Sequence, residues 1–66
     1  MEIKEINYYG SDGWENNTTY NHTKSSELHV PRKGDNIRNK FGNLYIVSSV
    51  TWNLSNNSIN VDCTLV

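Results

Sequence analysis

Four of the six basic side chains, Arg32, Lys33, Arg38 and Lys40, fall within nine residues around a Lys33-Gly34-Asp35 turn signal. Guanidinium and ammonium groups at that spacing, with backbone amides near a glycine turn, can hold phosphate or another small anion. Tyr8, Tyr9, Trp14 and Tyr20 supply rings that can stack on a base bound there. The candidate ligand-binding set is therefore Tyr9, Trp14, Tyr20, Arg32, Lys33 and Arg38. A second reading of the cluster is a solvated strand edge, where basic side chains discourage sheet-to-sheet association and Asp35 neutralises part of the charge.

Covalent and acid-base chemistry have no comparable constellation. Ser11-Asp12-Gly13 lacks the strand-to-helix setting of a hydrolase nucleophile, and no G-x-S-x-G motif occurs. His22 and His29 stand seven apart without an acidic or cysteine ligand at metal-binding spacing. Cys63 sits on the apolar side of an alternating run and reads as a small buried hydrophobe. Gly10, Gly13, Gly34 and Gly42 form neither a phosphate-cradling loop nor a dinucleotide motif. Catalytic residues, metal ligands and cofactors are all expected to be none, and the chain is expected to act by binding.

The elements that must position these residues are strands. Asn43 to Leu54 and Ser58 to Val66 are two β-branched and aromatic runs separated by Ser55-Asn56-Asn57, the pattern of a hairpin. In the second run Ile59, Val61, Cys63 and Leu65 share one face while Asn60, Asp62 and Thr64 share the other. The first run changes parity midway. Either a bulge at Ser48-Ser49 brings Tyr45, Val47, Val50 and Trp52 to one inward face, or the strand is covered on both sides. Leu28 to Val30 is a short strand candidate stopped by Pro31, and another lies near Ile37. Ile3 to Tyr9 reads as a strand closed by a turn at Gly10-Ser11-Asp12-Gly13, with one of Tyr8 and Tyr9 buried and the other exposed. Residues 10–26 are polar, with almost no aliphatic anchor, and read as a long loop carrying Trp14 and Tyr20. Together these predict an all-β single domain over residues 1–66, a five-stranded SH3-like or OB-like barrel or a strongly curved antiparallel sheet.

At 66 residues with a single cysteine, the chain has no intramolecular disulfide to supplement its core. A homo-oligomer is the remaining way to bury more surface. The formal net charge of −1 argues against strong overall attraction to nucleic acid or an anionic membrane. Met1 to Glu5 contains no basic segment followed by an apolar run, and no stretch approaches the roughly 20 apolar residues of a membrane span. A cytoplasmic protein without a membrane role is expected, and the Asn-x-Ser/Thr triplets then reflect composition alone.

The segment Val30-Pro31-Arg32-Lys33-Gly34-Asp35, followed by Tyr45-Ile46-Val47, Val50-Thr51-Trp52 and Ile59-Asn60-Val61, resembles a pattern in small β-barrel proteins of bacteriophages and prophages. The resemblance covers roughly residues 28–66. It implies a viral setting, in the bacterial host cytoplasm, and a non-enzymatic role. The leading expectation is a counter-defence protein that sequesters a small anionic, nucleotide-like ligand. The alternatives are an interaction module that inhibits a host protein and a virion or nucleic-acid-binding component.

Overall fold

A computed structural model describes all residues, 1–66. Five strands, β1 (Glu2–Gly10), β2 (Glu15–Lys24), β3 (Asn36–Arg38), β4 (Leu44–Asn53) and β5 (Ser58–Leu65), form one sheet in the order β2-β1-β5-β4-β3. The sheet curls into a half-barrel, which bears out the all-β, strongly curved architecture. It is mixed and not wholly antiparallel. β1 runs parallel to β5, with Ile6 opposite Ile59 and Tyr8 opposite Val61. The other three pairings are antiparallel. A parallel pair needs a long crossover; here β2, β3 and β4 together form it, and local alternation cannot reveal such a connection.

The β4–β5 hairpin forms over the expected runs. Its register slips between Val47 and Ser49, so Tyr45 and Val47 share the concave face with Val50 and Trp52. That is the bulge reading of the parity change. Tyr45 and Val47 are fully buried, but Trp52 keeps 45% of its surface exposed and is no core residue. It lies opposite Ile59 at the turn end of the hairpin.

The segment read as a loop is mostly strand. Only Ser11 to Trp14 turns the chain, with Gly13 at φ +93° and the Gly10 N–H donating to the Trp14 carbonyl at 2.7 Å. β2 then pairs along β1, broken by a wide bulge at Tyr20–His22, where His22 adopts φ +54°. Its inward residues are Asn16, Thr18 and Thr23, with Tyr20 the one apolar ring packed on the core, so the apolar alternation that marks a half-buried strand is missing. The threonines and Tyr20 still favour extended backbone, and β1 provides the hydrogen-bonding partner. Conversely, Leu28 to Val30 forms no strand. After a single 3-10 turn at Ser25–Glu27 it crosses as irregular chain, with Leu28 and Val30 packed on the core and Pro31 buried.

The core on the concave face is Ile3, Ile6, Tyr45, Val47, Ile59, Val61 and Cys63. The expected alternation in β5 holds for Ile59, Val61 and Cys63, while Leu65 is 41% exposed where the strand runs out. On the convex face Asn7 is buried in a three-strand amide ladder. Asn17 Nδ2 donates to Asn7 Oδ1 at 2.6 Å, and Asn7 Nδ2 donates to Asn60 Oδ1 at 3.1 Å. These bonds satisfy a polar group that burial would otherwise penalise. No helix is long and apolar enough to cross a membrane.

Candidate functional site

The two edge strands, β2 and β3, face one another across the open side of the half-barrel without hydrogen-bonding. Between them lies a cleft of about 470 Å³. Tyr8 and Trp14 line it from the β1–β2 side, and Ile37, Arg38, Lys40 and Phe41 line it from β3 and the turn that follows. Glu15, Asn16 and Asn39 complete the wall.

Backbone geometry sets the Trp14 platform. Gly10 has no side chain, which lets the turn close against the core: a Cβ there would lie 2.9 Å from the Tyr45 ring and 3.2 Å from Trp14 Cβ. Trp14 consequently stacks on Tyr45, with ring centroids 5.0 Å apart and planes 23° apart. Tyr8 tilts beside it at 6.1 Å. Such offset pairs contribute about 0.5–1.5 kcal/mol beyond burial and hold the ring orientations.

The opposite wall is built around Asn39. Its Oδ1 accepts hydrogen bonds from the Phe41 and Asn43 N–H groups, both at 3.0 Å, and its Nδ2 donates to the Tyr45 hydroxyl at 3.3 Å. The Tyr45 hydroxyl donates in turn to Asp12, 2.9 Å from Oδ2. This relay ties the β1–β2 turn to the β3–β4 turn and fixes one end of the cleft. Burial, and then the hydrogen bond and charge of Asp12, push the Tyr45 pKa above its ordinary value. Tyr8 shifts the same way, through burial first and then the neighbouring Tyr20 and Cys63. Both phenols therefore remain protonated donors at neutral pH.

No carboxylate lies within contact distance of the cations at this wall, although Glu15 lines the opposite side of the cleft. The one imidazole–carboxylate contact in the molecule, His22–Glu2 at 3.8 Å, is exposed and involves no arginine or lysine. Arg38 is anchored by donating to the Gly42 carbonyl at 2.9 Å, and the Lys40 ammonium lies 5.2 Å from the Phe41 ring centroid. Phe41 is 72% exposed.

The six candidate residues do not converge. Trp14 and Arg38 meet in the seam cleft. Arg32 and Lys33 line a separate, more open hollow with Trp52. Their turn is closed by Asp35, which accepts the Arg32 N–H at 2.8 Å and returns its own N–H to the Arg32 carbonyl at 3.0 Å. Tyr9 is on the convex face, opposite Glu15 and Asp62. Tyr20 sits in the β2 bulge and packs against the core. Tyr8 and Tyr9 are both half-buried, so neither member of the pair is fully exposed. Tyr8, Lys40 and Phe41 join the site instead. Phe41 is the one that carried no signal in the sequence.

No group of three or more histidine, cysteine, aspartate or glutamate side chains comes together to hold a metal ion. Cys63 is buried, and burial followed by the Asp62 charge raises its pKa, which suppresses the thiolate. Comparison with protein-family models, curated proteins and solved structures finds no match.

Proposed function

We propose that this chain is a non-enzymatic binding protein whose seam cleft takes a small anionic ligand bearing a planar ring, a nucleotide by chemical class. The observation that carries the reading is the pairing of Trp14 and Tyr8 with Arg38 and Lys40, cations free of carboxylate partners, across one cleft. A ring stacks on the aromatic side while phosphate meets the cationic turn. The cleft volume lies within the range of about 300–1,000 Å³ usual for small-ligand sites. In the phage setting that the sequence resemblance implies, the role is sequestration of such a ligand in the host cytoplasm.

Calorimetric titration with a nucleoside monophosphate at low salt tests the proposal. Saturable binding that Arg38→Ala and Lys40→Ala together weaken by tenfold or more supports it; binding indifferent to both substitutions rejects it.

One observation favours a second reading. β2 is a ten-residue edge strand whose outer side is unpaired, bounded by Glu15 and Lys24. Edges of that length accept an added strand, from a host protein or from another copy of this chain. Homo-oligomerisation through β2 belongs to this reading, and sedimentation of the pure protein separates monomer from dimer.

A further inference from the structure

Beyond the seam cleft, the surface carries a second aromatic and basic hollow of about 860 Å³. Arg32, Lys33 and His29 line it together with Val30, Pro31 and Trp52. The Trp52 indole is 45% exposed, and both basic side chains of the turn project without a carboxylate partner. A smaller hollow of about 360 Å³ joins the two sites. It shares Tyr8 and Ile37 with the seam cleft, and His29, Pro31 and Asp35 with the Trp52 hollow. The result is a track of three adjoining hollows with an aromatic platform at each end and cations beside each platform.

A mononucleotide fills only one end of such a track. We infer that the ligand class is a single-stranded oligonucleotide, with one base on Trp14 and Tyr8, another on Trp52, and the intervening backbone along the His29 and Tyr8 stretch. The inference rests on the nucleotide reading of the seam cleft and extends it. Stacking platforms beside a cationic path are the recurring means of holding single strands without base readout, in sites of about four nucleotides or more. Two carboxylates, Glu15 and Asp35, also line the track, against Arg32, Lys33, Arg38 and Lys40. Four cations against two carboxylates leave the local balance positive despite the overall charge of −1.

Titration of the full chain with thymidine monophosphate and with a thymidine hexanucleotide, followed by tryptophan fluorescence at about 50 mM salt, tests the inference. The hexanucleotide binds at least tenfold more tightly, and Trp52→Ala reduces its affinity about tenfold without changing that of the monophosphate. Arg32→Glu with Lys33→Glu, two exposed side chains that the fold does not need, reproduces this selective loss if Trp52→Ala proves unstable. Equal affinities for the two ligands, or a hexanucleotide affinity untouched by the Trp52 and turn substitutions, overturn the track while leaving the seam reading in place. Monophosphate and hexanucleotide binding both indifferent to Arg38→Ala with Lys40→Ala overturn the seam reading itself.

Discussion

Asn39→Ala removes the amide on which the cationic wall is built. Three hydrogen bonds go: the two accepted from Phe41 and Asn43, and the one donated to Tyr45. Each net bond is worth about 0.5–1.5 kcal/mol. The Phe41 and Asn43 N–H groups belong to exposed residues and regain water, whereas Asn39 itself is only 8% exposed and its truncation leaves a small void. The sum is a loss of about 2 kcal/mol, a large share of the roughly 3–10 kcal/mol available to a domain of this size. With an unfolding entropy of about 2.1 cal/mol/K per residue, that lowers Tm by roughly 14 °C. Differential scanning fluorimetry or calorimetry reads this directly. A Tm within about 2 °C of the parent protein for Asn39→Ala refutes the role given to this side chain.

Gly10→Ala forces a Cβ to within 2.6 Å of Asp12 Oδ1 and 2.9 Å of the Tyr45 ring, so it is expected to destabilise by about 1–3 kcal/mol and to blue- or red-shift Trp14 emission as the stack is displaced. Denaturant titration with the fluorescence readout checks both effects. Asn7→Ala breaks the convex amide ladder and is expected to cost about 1–2 kcal/mol without changing ligand affinity, because it lies on the face away from the cleft. Cys63, Tyr8 and Tyr45 all have pKa values raised in the folded state, which means that the unfolded chain loses these protons first as pH rises. Their stabilising contribution is complete below the unfolded pKa values and is lost as pH rises through the folded ones. Chemical denaturation should therefore give level stability up to about pH 8.5 and a decline above about pH 9.

The strands most legible in the sequence are those whose side chains do both jobs, burying one face and favouring extended backbone. β5 reads cleanly because Ile59, Val61 and Cys63 alternate with Asn60, Asp62 and Thr64. The β4 bulge was recoverable for the same reason, since Tyr45, Val47 and Val50 could share a face only after an insertion. β2 hides because, Tyr20 apart, its inward side chains, Asn16, Thr18 and Thr23, bury little apolar surface, and pairing with β1 holds it in place. The parallel β1–β5 contact hides because it joins opposite ends of the chain, and local spacing carries no trace of it. Charge spacing gathers four cations into residues 32–40, but the chain enters β3 between the two halves. Arg32 and Lys33 are left at the turn, and Arg38 and Lys40 are carried to the seam. Trp14 could be anticipated as a large ring in a polar stretch. Tyr8 could not be distinguished from Tyr9 until strand parity set which of them faces inward.

The most direct test of the seam cleft is a two-dimensional amide NMR titration of the labelled protein with a nucleoside monophosphate. The account predicts saturable shifts concentrated at Tyr8, at the backbone and indole N–H groups of Trp14, and at Arg38 to Phe41, with little change at Tyr9 or Asn60 on the convex face. Shifts that are absent at saturating ligand, or that cluster on the convex face or along the β2 edge, would contradict it.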